Sequence, residues 1–154
     1  MRALVQRVSK ASVSIEGRPI ASIEQGLVVL IGVGKGDSEQ DAQYLADKIA
    51  NLRIFSDEAD KFNLSALDTQ GEILVVSQFT LLADTRKGRR PSFTDAAPPE
   101  EAEPLIDKFV QFLQAAGLKV QTGRFRQNML VEIHNSGPVT IFMGSEERLR
   151  SRHS

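Results

Sequence analysis

The sequence predicts an α+β domain built on a mixed or largely antiparallel sheet. Three observations point there. Strand-like runs outnumber helical ones, the two clear helical periods lie far apart, and no linker or repeat divides the 154 residues. A chain of this length fits one domain, 1–154, with a substantial core. Hydrophobic residues at 41% and charged residues at 25% match soluble globular averages.

The elements follow in order. "RALVQRV" and "ASVSIE" alternate well enough to read as two half-buried strands, with "EGRP" as the turn before "IASI". "LVVLIGV" is a continuous apolar run and reads as a central strand covered on both faces. "GKGDSEQDAQYLADKIANLRIF" opens a first main helix. Asp37 or Ser38 caps it, Ser38 and Asp41 have capping-box spacing, and Tyr44, Leu45, Ile49 and Leu52 share one face. "SDEADKFNLSALDTQGE" is polar and turn-rich, and the strand "ILVV" after it runs straight into "SQFT".

"APPEEAEP" announces the second main helix, because proline and acid suit a helix start. Leu105, Ile106, Phe109, Val110, Phe112 and Leu113 give it a broad apolar face, and Gly117 ends it; Pro104 leaves its first turn open. "LKVQT", "MLVEIH" and "VTIFM" read as closing strands. "EERLRSRHS" carries both signs of charge, so about 145–154 reads as a loose C-terminal tail.

Composition excludes several kinds of function. A net charge of −1 gives no global basic field, so any nucleic-acid contact must come from a local patch. With no Cys, disulfides, thiolate nucleophiles and Cys-ligated zinc are all ruled out. "MRALVQRVSK" lacks a signal-peptide apolar region, and "LVVLIGV" is too short to span a bilayer. The default expectation is a soluble cytoplasmic protein. The two histidines lie far apart and no carboxylates form a ligand loop, so no metal and no cofactor is expected.

Four stretches carry candidate chemistry. "IGVGKGD" fails both the Walker spacing and the dinucleotide spacing, and reads as a tight turn. In "LVVSQFTLLAD", Ser77, Gln78 and Thr80 end a buried run, where they either face a pocket or bond to neighbouring backbone. A serine triad would need a histidine base, and only His134 lies outside the polar tail that holds His153. "TRKGRRPSF" concentrates Arg86, Lys87, Arg89 and Arg90, which suits either a solvated loop or phosphate contact. Arg124 and Arg126 flank Phe125, which reads as a core aromatic or a base-stacking one.

The fourth stretch is "HNSGPVT", between the strand-like runs "MLVEI" and "VTIFM". Its Gly-Pro pair removes a ladder donor, fixes one φ angle and gives up a side chain. Spacing alone predicts a trans turn there, since X-Pro bonds in folded proteins are cis only about 5–6% of the time. If the protein is a hydrolase, it lacks the usual side-chain machinery. Backbone groups or the substrate itself would have to supply the chemistry.

Taken together, "ALVQRVSKASV", "KIANLRIF", "GEILVVSQFTLLADTRKGRRPSF", "TGRF" and "NSGPVT" resemble the D-aminoacyl-tRNA deacylases, also called D-tyrosyl-tRNA deacylases, nearly end to end. The resemblance implies a β-barrel-like core and a homodimer. It also implies hydrolysis of the ester between a D-amino acid and the tRNA 3′-terminal adenosine, with tRNA as partner and neither a membrane nor DNA. In that family the Gly-Pro bond is cis and enters the partner's pocket, so Gly137 and Pro138 would form the chirality filter. Glycine has no side chain to exclude, which extends the expected activity to glycine mischarged on tRNA(Ala).

The resemblance also gives the "SQFT" segment a role. Ser77, Gln78, Phe79 and Thr80 would be catalytic, with backbone N–H groups near Phe79 and Thr80 holding the oxyanion. The terminal ribose 2′-OH would assist, and Thr80 as covalent nucleophile is the lesser mechanism. Phe125 and Met129 would line the adenosine pocket, Arg7 would brace the Gly-Pro loop, and the basic run would meet acceptor-stem phosphates. Many members carry an acid before Gly-Pro and another before the Met, where this chain has Ser136 and Asn128. The rivals are a non-catalytic tRNA 3′-end binding module and a serine esterase using Ser77 and His134.

Overall fold

The structure, a computed structural model, describes residues 1–150. Its longest strands are β1 (Arg2–Ile15) and β8 (Leu130–Gly144), which pair antiparallel along almost their whole lengths. The two N-terminal runs expected as separate strands are therefore one. The alternation in β1 shifts phase midway: Ala3 and Val5 are buried, then Val8, Ala11 and Val13. Register shifts between Gln6 and Val8 and between Val8 and Lys10 account for that change. Ala3 and Val5 enter one hydrophobic core, and Val8, Ala11 and Val13 enter a second.

On its other edge β1 pairs antiparallel with β2 (Arg18–Ile23) and with β3 (Gly26–Gly32). The turn into β2 has Glu16 at φ 52° and Gly17 at φ 78°, as a two-residue hairpin loop requires. β3 runs parallel to β6 (Glu72–Ser77), which runs parallel to β7 (Val120–Thr122). A hydrogen bond from the Ser22 N–H to the Gln121 side-chain oxygen (3.0 Å) brings β2 beside β7, so the mixed sheet nearly closes into a barrel. β3 and β6 are covered on both faces: Leu27, Val29, Ile31, Ile73 and Val75 face one core, and Val28, Leu74 and Val76 the other.

The first core lies between the sheet and two helices that pack on each other, α1 (Glu39–Asn51) and α3 (Pro99–Ala115). The Asp41 carboxylate accepts from the Ser38 N–H (2.8 Å) and hydroxyl (3.2 Å), which fixes the start of α1. Ala42, Leu45, Ala46 and Ile49 form its buried face, with Tyr44 half-buried at the side. α3 begins at Pro99, so Pro104 lies inside it; Gly117 ends it at φ 108°. The turn-rich segment between β3 and β6 holds a small hairpin, β4 (Phe55–Ser56) with β5 (Phe62–Leu64). It also holds a third helix of one turn, α2 (Ala66–Thr69).

Two further expectations need correction. "MLVEIH" and "VTIFM" are not two strands but the halves of β8, because both find partners on β1. The stretch expected to be loose from about 145 instead forms a 3-10 turn, Ser145–Leu149. The Met1 ammonium donates to the buried Ser145 hydroxyl (2.6 Å) and pairs with Asp37 (2.7 Å), while Arg148 pairs with Asp41 (3.4 Å). An ion pair to α1 and a hydrogen bond from the chain start hold the segment down. Residues 151–154, His153 among them, lie outside the described residues. Among the described residues, no helix is long and apolar enough to cross a membrane.

Candidate active site

The apolar side chains of β6 fix its register beside β3 as far as the pair Ile31 and Ser77. The Gln78 N–H still bonds the Ile31 carbonyl at 2.7 Å. There the chain leaves the sheet and winds into a 3-10 turn, Phe79–Leu82. Three contacts hold the turn: Leu82 is buried, the Arg2 guanidinium donates to the Leu81 carbonyl (2.9 Å), and Gly32 lies directly beneath Gln78. As its first two residues, Phe79 and Thr80 have N–H groups with no acceptor inside the turn. No other described residue bonds them.

Ser77, Gln78 and Phe79, where the turn begins, edge a cavity of about 700 Å³, and Thr80 follows just outside its lining. Gly32 and Val76 form its floor, α3 contributes Pro99, Ala102 and Ile106, and Phe125 and Met129 close the far side. The Phe79 ring, 56% exposed, meets Phe93 edge-on at 5.1 Å between centroids. Met129 is seated by its sulfur, which accepts the Arg124 N–H at 3.4 Å and lies close over Gly123. The cavity is thus mainly apolar, with the start of the 3-10 turn at one edge.

Of the expected site residues, Ser77, Gln78, Phe79, Phe125 and Met129 all line this cavity, as does Asn128. The Thr80 hydroxyl is exposed and accepts a hydrogen bond from the Gln78 amide. Among the described residues no histidine lines the cavity; His134 sits on β8 opposite Lys10. The glycine-rich segment has no free phosphate cradle either, since the Gly34 N–H is bonded to the Asp37 carboxylate at 2.6 Å.

Gly137 and Pro138 stand apart from the cavity of their own chain. Val8 pairs with Asn135 and Gln6 with Thr140, so residues 136–139 stand opposite the single residue Arg7 and loop outward. The Gly137–Pro138 bond is cis, Gly137 has φ 120°, and both residues are exposed. Arg7 donates from Nε to the Ser136 carbonyl (3.3 Å) and from Nη1 to the Ile54 carbonyl (2.8 Å).

Arg86, Lys87, Arg89 and Arg90 are exposed on a loop closed at its base by paired backbone bonds between Asp84 and Ser92 (2.8 and 2.9 Å). Arg86 turns back onto Asp84, with side-chain bonds of 2.9 and 2.8 Å. That guanidinium, together with the Arg86 N–H, pulls the Asp84 carboxyl down to about 2.

Sequence reasoning missed Phe93, Gly32, Arg2 and the α3 wall as parts of the site. Only Gly32 left a signal, as the one glycine placed inside the apolar run "LVVLIGV".

A family model described as D-Tyr-tRNA(Tyr) deacylase matches residues 4–144. A D-aminoacyl-tRNA deacylase of Dehalococcoides mccartyi is 57% identical over 152 residues, covering 99% of each chain. One from Thermotoga petrophila is 54% identical over 147 residues, covering 96% of this chain and 99% of its own. Among solved structures, a c-Myc DNA Unwinding Element Binding Protein superposes with a TM-score of 0.87 at 41% identity, covering 93% of this chain and 97% of the other. A probable eukaryotic D-amino acid tRNA deacylase gives a TM-score of 0.79 at 15% identity over 92% and 97%, a likeness of fold.

Proposed function

We propose a mechanism from one premise: this chain belongs to the D-Tyr-tRNA(Tyr) deacylase family. It is a hydrolase that splits the ester bond of D-aminoacyl-tRNA. The observation that carries the mechanism is the pair of N–H groups at Phe79 and Thr80 that no described residue bonds, on a turn whose first residue, Phe79, lines a cavity that no described histidine lines.

Those two donors would hold the carbonyl oxygen as water adds to the ester carbon and negative charge develops. The terminal ribose 2′-OH would relay a proton, accepting one from that water while passing its own to the 3′ oxygen as the acyl carbon–3′ oxygen bond breaks. The products are free D-amino acid and intact tRNA. With its hydroxyl bonded to Gln78 and no base beside it, Thr80 is better suited to positioning than to nucleophilic attack. Phe125 and Met129 suit the adenosine, offering an aromatic face and a polarisable sulfur inside a largely apolar wall.

Handedness would be read by a second copy of the chain, whose Gly137 and Pro138 carbonyls occupy the place where an L side chain must go. Two features support this reading. Gly137 and Pro138 are exposed and do not line the cavity of their own chain, and β8 leaves one long edge open with Leu130 and Phe142 more than half exposed. Backbone rejection is indifferent to the side chain that arrives, so glycine on tRNA(Ala) would also be accepted. Such an enzyme would work in the cytoplasm, where tRNA is charged.

The test is release of free amino acid from D-tyrosyl-tRNA by purified protein, with the L-ester and glycyl-tRNA(Ala) in parallel. Release from the D-ester and the glycyl ester, with the L-ester untouched, is the expected result. A protein that binds charged tRNA and releases nothing above background would be the non-catalytic 3′-end module.

A further inference from the structure

We propose that Phe62, at the end of the β4–β5 hairpin, is a positioning residue for handedness, acting through Arg7 on the Gly137–Pro138 loop; this rests on the filter reading above. Phe62 is a large aromatic that is 51% exposed, on a two-stranded hairpin with little core of its own. Its ring lies 5.4 Å from the Arg7 guanidinium carbon, within cation–π range. The same hairpin segment supplies the Ile54 carbonyl that takes the Arg7 Nη1 proton at 2.8 Å. One face and one edge of the guanidinium are therefore set by residues 54–62.

What remains of Arg7 points at the loop. Its Nε donates to the Ser136 carbonyl at 3.3 Å, and its Nη2 would lie 3.0 Å from a Cβ at Gly137. A planar guanidinium fixed on one side transmits that fixation to the other, which a flexible ammonium does not. The hairpin is itself tied at its tip. The Asp57 carboxylate accepts from the Ala59 N–H (2.8 Å), the Lys61 N–H (3.0 Å) and the Asn63 amide (2.5 Å). These contacts run from Asp57 through the hairpin to Phe62, then Arg7, then the Ser136 carbonyl. Four looped-out residues of β8, which pair with no strand, are steadied in this way from the side.

The test compares wild type with Phe62→Ala, Phe62→Tyr and Arg7→Lys, using D- and L-tyrosyl-tRNA hydrolysis, dimer mass in solution, and the NMR signal of the Arg7 Nε–H. Phe62→Ala should keep the D rate within about threefold and lower the D-over-L ratio by about tenfold or more. It should also remove the ring-current shift and the exchange protection of the Arg7 Nε–H, with dimer mass unchanged. Phe62→Tyr should restore all three readouts, and Arg7→Lys should lower the ratio as Phe62→Ala does. An unmoved Arg7 signal, or an unchanged ratio, would overturn the proposal. So would loss of the dimer in Phe62→Ala, which would make Phe62 an interface anchor. If wild type hydrolysed neither ester, the filter reading would fail instead, and the Arg7 signal would still decide whether Phe62 sets the guanidinium.

Discussion

Gly32 and Gln78 are in such close approach that position 32 has no room for a side chain. A Cβ there would stand 2.8 Å from the Gln78 carbonyl oxygen and 2.7 Å from a Leu82 methyl carbon. Neither neighbour can give way easily, because Leu82 is buried and the Gln78 N–H is bonded to Ile31. Gly32→Ala should therefore push the turn off β3, at a cost of about 1–3 kcal/mol in urea unfolding. Since the turn carries the proposed oxyanion donors, kcat should fall more than KM rises. A variant with unchanged kcat and stability would show the approach to be looser than these distances require.

The proposed division of labour between Thr80 and the substrate predicts contrasting results for one substitution and one altered tRNA. Thr80→Ala should keep activity within about tenfold of wild type, far short of the loss of a true nucleophile. A charged tRNA whose terminal ribose lacks the 2′-OH should react about a hundredfold more slowly or worse. His134→Ala should change little, since His134 lies on β8 away from the cavity. Single-turnover rates on D-tyrosyl-tRNA measure all three. Normal hydrolysis of the 2′-deoxy ester would contradict substrate assistance.

What could be read in the sequence followed from periodicity and local chemistry. β3, β6, α1 and α3 were legible because apolar runs and capping residues encode them locally. The continuity of β8 was not legible. Nothing local says that residues on both sides of Gly137–Pro138 share one partner strand, since that pairing is decided on β1, at the other end of the chain. The same limit hid Phe93 and Arg2, whose places at the site depend on tertiary contacts alone. The Ser145–Leu149 turn was misread because its anchors, Met1 and Asp41, are remote in sequence.

Asp41 supports a prediction about acid stability. It is 7% exposed, and burial alone would raise its pKa. The Ser38 N–H, the Ser145 hydroxyl and the N-terminal ammonium outweigh burial and hold it below 3.8. With the folded value below the unfolded one, its contribution is complete above pH 3.8 and is lost as pH falls further. Asp41→Asn should cost about 1–3 kcal/mol at neutral pH. The difference from wild type should shrink in acid, as followed by thermal melts between about pH 7 and pH 3.

The basic loop should divide into one structural and three free cations. Lys87, Arg89 and Arg90 form no ion pair with any described residue, whereas Arg86 is engaged by Asp84. Replacing each free cation by Ala should weaken tRNA binding and reduce the salt slope by about 0.9 for every duplex phosphate left without its cation. Arg86→Ala should change the slope less. The Asp84 carboxyl is depressed to about 2, so the clamp is complete above pH 3.8 and opens only as pH falls toward 2. Filter binding from about pH 5 to pH 9 should show no titration from this pair. Equal slopes for all four variants would mean that Arg86 also reaches phosphate.

Gly137 offers the sharpest test of backbone discrimination, because a matched control exists in the same chain. At φ 120°, a Cβ on Gly137 would stand 2.8 Å from Val139 Cγ2 and 3.0 Å from both the Val139 nitrogen and Arg7 Nη2. Alanine there should displace the loop carbonyls that the proposal assigns to handedness. Gly88 also has positive φ, at 66°, but a Cβ there meets nothing within 4 Å, and it lies on the basic loop. Gly88→Ala imposes only the left-handed penalty on a non-glycine residue, ~1 kcal/mol of stability, whereas Gly137→Ala adds the close contacts and a φ outside the left-handed basin and should cost more. Only Gly137→Ala should lower the D-over-L ratio, by about tenfold or more, which corresponds to about 1.4 kcal/mol lost from the discrimination. Parallel hydrolysis of D- and L-tyrosyl-tRNA by the two variants measures this. Equal loss of selectivity in both would place discrimination elsewhere than in the carbonyls of residues 137 and 138.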